Sequence, residues 1–142
     1  MTDCPFCDIA RGKREAITLM KSGRTTAFLD HRPLGVGHTL VISNEHYENI
    51  FEVDRETLRE AVEVARKIAV ALNTVFHPLG INIIQNNGYH AGQTIYHFHI
   101  HVIPRYDQSY SNLLGEIAKG RRVVDSSKLA EVGNKLLASS LL

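Results

Sequence analysis

The sequence predicts an α+β domain: an antiparallel sheet of about five strands, one long helix packed on a face, and a second helix at the C-terminus. Three observations lead there. Strand-like segments outnumber helical ones, several of them are joined by short turns, and one long stretch repeats its apolar positions at helical spacing.

Residues 1–13 read as a short helical turn that ends near Gly12. Ile17–Lys21 and Thr25–Asp30 are strand candidates split by the turn-like triplet Ser22-Gly23-Arg24. Arg32-Pro33-Leu34-Gly35-Val36-Gly37 has loop chemistry, and Thr39–Ile42 reads as a buried strand. Asp54 caps the amide donors of a helix running to about Phe76, with Val53 and Leu58 at the spacing of a hydrophobic staple. Leu58, Ala61, Val62, Ala65, Ile68, Ala69 and Leu72 form its apolar face. His77-Pro78-Leu79-Gly80 stops it, because proline cannot continue a helix. Ile81–Gln85 is a strand, residues 86–93 a glycine-containing loop, and His97–Ile103 a strand halted by Pro104. After a polar segment, Ser127–Leu141 reads as the terminal helix.

The 142 residues fit a single domain, and 44% hydrophobic with 22% charged residues is ordinary for a water-exposed globular chain. The net charge is +1 with acids and bases well mixed, so neither a nucleic-acid surface nor an anionic-membrane surface is expected. Met1-Thr2-Asp3-Cys4 lacks a basic stretch followed by an apolar one, and no apolar run reaches the roughly 20 residues a membrane span needs. A cytoplasmic location is the resulting expectation. There, cysteines spaced as in Cys4-Pro5-Phe6-Cys7 are a metal clip or a redox pair rather than a structural disulfide. The spacing is that of half a zinc site, and unliganded thiols are the bland alternative. A thioredoxin-like redox pair would need a preceding strand and a following long helix, which the sequence lacks.

Three of the eight histidines fall at alternate positions, His97, His99 and His101. On a strand they project to one face, while Phe98, Ile100 and Val102 project into the core. A solvated strand face would explain the pattern blandly. A single metal held by all three is opposed by geometry, since same-face neighbours stand about 7 Å apart and the outer pair about 14 Å, against ligand bonds of about 2 Å. A division of labour among the three fits better. An imidazole that is neutral near pH 7 suits attack at phosphorus, and a neighbouring histidine can stabilise the phosphoryl oxygens. The preceding loop adds donors in Asn86, Gln93 and Thr94.

The segment Asn-Asn-Gly-Tyr-His-Ala-Gly-Gln-Thr-Ile-Tyr-His-Phe-His-Ile-His-Val-Ile-Pro-Arg, residues 86–105, resembles the histidine triad (HIT) superfamily, whose signature is His-x-His-x-His followed by apolar residues. The resemblance extends back through His38-Thr39-Leu40-Val41-Ile42 and Asp30 to Cys4. It implies a single HIT-like domain over residues 1–142, with a core at 4–105 and a C-terminal extension at 106–142. It also implies hydrolysis or transfer at the α-phosphate of nucleoside phosphoramidates, adenylates or dinucleoside polyphosphates. His99 would form a nucleotidyl-histidine intermediate, His101 would contact the phosphate, His97 would support the site, and His38 would lie near the cluster. Asn86, Gln93 and Thr94 match positions around the phosphate. Asp30 matches the ribose-binding carboxylate, and Phe6, Ile9 and Phe28 match the pocket for a purine base. By the same resemblance, Cys4, Cys7, His46 and His97 would hold a structural zinc, no catalytic cofactor would be needed, and the protein would be a homodimer. Each assignment has a plain structural rival. Phe6, Ile9 and Phe28 could be core, Asp30 a turn cap, Asn86 a loop brace, and His38 a buried hydrogen-bonded ring. His31 and Arg14 depart from the aliphatic residues usual in the base pocket, and Val102-Ile103-Pro104-Arg105 departs from the phosphoramidase branch. A nucleotide-binding regulatory protein and a metal-dependent hydrolase are the competing functional readings.

Overall fold

The structure, a computed structural model, describes residues 3–107, 113 and 121–142. Much of the polar segment before the terminal helix, including Gly120, therefore lies outside the described residues.

The chain starts with α1 (Pro5–Ala10), where Cys4 is the N-cap and its sulfur accepts from the Cys7 amide. Then come β1 (Thr18–Lys21), β2 (Thr25–Leu29) and β3 (Thr39–Ser43). The long helix α2 (Arg55–Phe76) is capped by Asp54, whose side chain accepts from the Thr57 amide. β4 (Gly80–Gln85), a 3-10 turn at Tyr89–Ala91, β5 (His99–Arg105) and α3 (Ser126–Ala138) complete the described chain. The strands form one sheet in the order β1-β2-β3-β5-β4, and every neighbouring pair is antiparallel. The fold is α+β, as the pattern predicts.

Strand alternation sorts the sheet into two faces. Ala27, Leu29, Val41, Ile100 and Val102 share one core cluster with Ala61, Ala65, Ile68 and Leu72 of α2 and Leu136 of α3. Phe28, Leu40 and Ile42 join Cys4, Phe6, Cys7 and Ala10 in a second cluster. The register sets Leu40 opposite His101 and Ile42 opposite His99, so these histidines lie on the α1 face. The alternation of β5 thus places imidazoles on one side and the main core on the other.

Four details differ from the sequence pattern. β5 begins at His99, not His97, because the Phe98 amide donates to the Tyr47 carbonyl and the chain there leaves the ladder. Pro104 does not halt the strand, which runs on to Arg105. Pairing with β3 ends at Val102, so Pro104 has only β4 beside it, and a proline is tolerated where one side needs no ladder bond. On α2, Val62 faces outward, while Val64 and Ala71 are buried. The terminal helix starts a residue earlier than the pattern suggests and ends at Ala138, with Asp125 as its cap. His77 closes α2 in the left-handed conformation at φ 49°.

Candidate active site

A pocket of about 800 Å³ opens on the α1 face, a volume in the range of small-molecule sites. Its lining combines Phe6, Ile9, Phe28 and Leu40 with Asp30, Thr94, His99 and His101. Phe6 stands edge-on to Phe28 and to His99, with centroids 5.6 and 5.1 Å apart. The neighbouring His99 and His101 rings are 5.0 Å apart. Gly37, at φ +96°, delivers His38 to the group, and a Cβ there would run into Leu72. His38 is fully buried.

Hydrogen-bond partners dictate the tautomers. Nδ1 of His99 lies 2.7 Å from the His97 carbonyl oxygen, which only accepts. Nδ1 therefore carries the proton, and Nε2 of His99 keeps its lone pair. Nδ1 of His38 accepts from the Leu34 amide at 3.0 Å, so Nε2 of the neutral ring is the donor. That donor meets Nδ1 of His101 at 3.0 Å. His101 then holds its proton on Nε2, leaving a nucleophile-type nitrogen on His99 beside a donor-type ring on His101.

Burial keeps these rings neutral. It pushes His99 below the ordinary histidine range, against the upward pull of the His97 carbonyl and Asp30. Burial pushes His38 down to about 4, partly offset by Asp30. His101 goes down to about 2, through burial first and then His99 and His38.

Asp30 is buried beside them, its Oδ2 3.6 Å from Nε2 of His38. Oδ1 accepts from the Arg32 amide at 2.9 Å, and Oδ2 accepts from Nη1 of Arg121 at 3.0 Å. Burial works against ionisation of this carboxyl, but His38, Arg121 and the Arg32 amide outweigh it and hold the pKa below the carboxylate norm. Because His38 is itself held neutral, the guanidinium of Arg121 is the positive charge in direct contact with this carboxylate.

A second cluster lies where β5 begins. Nδ1 of His97 is 3.3 Å from Sγ of Cys4 and 3.5 Å from Sγ of Cys7, and Nδ1 of His46 is 3.3 Å from Sγ of Cys7. All four donor atoms lie within 4.8 Å of one another. Tetrahedral zinc bonds of about 2.0–2.3 Å place sulfur and nitrogen ligands roughly 3.6 Å apart, so the donor set fits zinc. Nε2 of His97 meets the Ser43 carbonyl oxygen at 2.7 Å, which puts the proton there and turns the Nδ1 lone pair toward the thiols. The histidine trio is therefore divided: His97 faces sulfur, while His99 and His101 face the pocket.

Residues 11–108 match the HIT domain. That span is most of the chain, and it contains all three alternating histidines. The chain belongs to the HIT family. It is 39% identical over 104 residues to the protein named Protein hit of Bacillus subtilis, covering 73% of this chain and 72% of that one. It is 31% identical over 135 residues to adenosine 5'-monophosphoramidase HNT1 of Saccharomyces cerevisiae, covering 95% and 81%. Among solved structures, a zinc-bound histidine triad family protein from Mycobacterium smegmatis superposes with a TM-score of 0.80 at 34% identity, covering 96% of this chain and 91% of that one.

In this HIT protein, the loop residues expected to contact phosphate take different places. Thr94 lines the pocket. Gln93 is buried with its amide engaged by the loop: Nε2 donates to the Glu48 and Ile95 carbonyls, and Oε1 accepts from the Gly88 amide. Asn86 is absent from the pocket lining, and its side-chain amide lies by Gly92, whose φ of +91° would strain any other residue. Gln93 thus braces the loop that carries Thr94. Motif reading did not find Ser43, whose carbonyl orients His97, or Arg121, which meets Asp30 across a large sequence separation. Neither has a local signal, although a cation in a polar tail and a buried acid are complementary on inspection.

Proposed function

We propose that this HIT protein is a nucleotide hydrolase or transferase that acts at the α-phosphate through a nucleotidyl-histidine intermediate on His99. The carrying observation is the His99 ring, which is neutral, lines the pocket, and has Nδ1 tied to the His97 carbonyl so that Nε2 is left to attack. Nε2 forms a bond to phosphorus as the bond to the leaving group breaks. In the second step water attacks, the P–N bond breaks, and the nucleoside monophosphate leaves. Over both steps one water is consumed, its hydroxyl going to phosphorus and its hydrogen to the leaving group. The His101 Nε2–H is the donor available to the phosphoryl oxygens, and such preset donors are most of the work of phosphoryl-type transfer.

The substrate class is a purine nucleoside phosphoramidate, adenylate or dinucleoside polyphosphate. A base would lie against Phe6, Ile9 and Phe28, and Asp30 would accept from the ribose. The resemblance to a yeast adenosine 5'-monophosphoramidase supports the first of these classes. The experiment is turnover of an AMP–lysine-type phosphoramidate and a dinucleoside polyphosphate by the wild type and by His99→Asn, with AMP binding measured in parallel. Loss of turnover with binding retained supports the reading. Persistent turnover would reject it, and AMP binding by a wild type that turns over neither substrate would favour a regulatory role.

We further propose that Cys4, Cys7, His46 and His97 hold a structural zinc. The ion would tie α1 to the start of β5 and take no part in the chemistry. Two free thiols suit a reducing compartment, so the cytoplasm is the proposed location. A homodimer is supported by β4, an edge strand that carries the exposed Ile83, and by the exposed Val62 and Val70 of α2. No helix among the described residues is long and apolar enough to cross a membrane.

A further inference from the structure

We propose that Arg121, contributed by the C-terminal extension, is a specificity residue that completes a ribose clamp with Asp30. The inference rests on reading the pocket as a nucleotide site. Arg121 lies outside the residues that match the HIT domain, so nothing in that match accounts for it. It nonetheless lines the same pocket as Asp30, His99 and His101. Its side chain is only 15% exposed. The Val124 amide donates to the His31 carbonyl at 2.8 Å, which pins the segment against the residue after Asp30.

Counting donors and acceptors shows what this arrangement lacks. A carboxylate oxygen accepts about two hydrogen bonds. Oδ1 of Asp30 has one from the Arg32 amide and Oδ2 has one from Arg121, so each retains an acceptor position. A guanidinium has five N–H donors. Arg121 uses Nη1 on Asp30 Oδ2 and on the Arg32 carbonyl, at 3.0 and 2.8 Å. Its Nε and Nη2 donors meet no partner among the described residues. Nε of Arg32, which lines the pocket too, is buried and likewise unpartnered among them. The group therefore offers acceptors and donors side by side at the pocket wall. A vicinal diol is the matching ligand, because each hydroxyl gives one hydrogen and accepts another. The two hydroxyls can donate to the two oxygens of Asp30 while accepting from Arg121. No ion pair need break for the sugar to enter. A deoxy sugar would leave these charged groups without ligand partners, which is how a polar site rejects an analogue lacking a hydroxyl.

The test is calorimetric titration of the full chain with AMP and with 2',3'-dideoxy-AMP, using wild type, Arg121→Ala and Arg121→Lys. Wild type should prefer AMP by about tenfold or more, the usual scale of a hydrogen bond to a charged group. Both variants should bind AMP about tenfold more weakly and bind the dideoxy nucleotide within about twofold of wild type. Lysine keeps the charge without the planar fork, so Arg121→Lys also decides the matter if Arg121→Ala does not fold. Equal weakening for both nucleotides, or unchanged AMP binding, overturns the clamp while leaving the nucleotide site standing. Failure of wild type to bind AMP at all overturns the nucleotide reading and the clamp with it.

Discussion

At the scale of single residues, the function turns on which nitrogen of each imidazole is free. His99→Asn should reduce turnover by about a thousandfold or more, since removal of a nucleophile is not compensated by its neighbours, while AMP binding stays within about threefold. His101→Ala should lower kcat by roughly a hundredfold, the scale for losing one preset donor to a developing oxyanion. Steady-state kinetics with AMP binding in parallel checks both. The pH profile has a definite sign. Burial holds His99 below the ordinary histidine range, so it is unprotonated at neutral pH. On that account the acidic limb of kcat/KM has its midpoint below the ordinary histidine value of about 6.5. An acidic limb with its midpoint above 7 would contradict the neutral nucleophile. The alternation of His97, His99 and His101 made the shared pocket face of His99 and His101 legible in the sequence. The tautomers were not legible, because they depend on the Leu34 amide and the His97 carbonyl, groups that carry no sequence signal.

At the scale of elements, the junction before β5 does two jobs. His97 leaves the ladder to face Cys4 and Cys7, and two residues later the strand presents His99 to the pocket. The proposed zinc ligand His97 and the proposed nucleophile His99 thus lie two residues apart, and the ion would act on the stability of this junction rather than on the chemistry. Cys4→Ser with Cys7→Ser should abolish stoichiometric zinc, measured by elemental analysis, and lower the melting temperature by on the order of 10 °C. Turnover at low temperature should fall only as far as the folded fraction falls. Chelation that abolishes turnover without changing the melting curve, and is reversed by a divalent ion, would instead favour metal-dependent hydrolysis. Element types were readable from period and caps: Asp54 starts α2, and proline after His77 ends it. Strand ends were harder. Pro104 looks like a stop signal, but whether proline stops a strand depends on which neighbour is present, and β3 has already ended there.

At the scale of the whole molecule, one consequence follows from the buried neutral histidines and another from the exposed Ile83 on edge strand β4. Burial holds His38 at about 4 and His101 at about 2, so the unfolded chain binds more protons than the folded one below the ordinary histidine value. Stability therefore decreases as pH drops from about 6.5 toward 4, by up to about 1.4 kcal/mol per pH unit for each such ring. Urea midpoints at pH 7.5, 6 and 5 should fall in that order, and a midpoint that rises on acidification would contradict the burial of neutral rings. Light scattering should give twice the chain mass, and Ile83→Asp on β4 should shift it toward one chain. The long-range organisation was legible only in part. Sheet composition followed from the strand count and alternation, whereas the meeting of Arg121 with Asp30 is set by how the chain returns after β5, and the spacing of residues along the sequence does not encode it.

Intact-mass and peptide mass spectrometry of the protein, quenched in alkali during turnover of an AMP phosphoramidate, tests the central claim most directly. The account predicts one added adenylate, on the peptide containing His99 and absent from His99→Asn. Continued turnover with no adduct at any quench time, or an adduct on another residue that persists in His99→Asn, would contradict it.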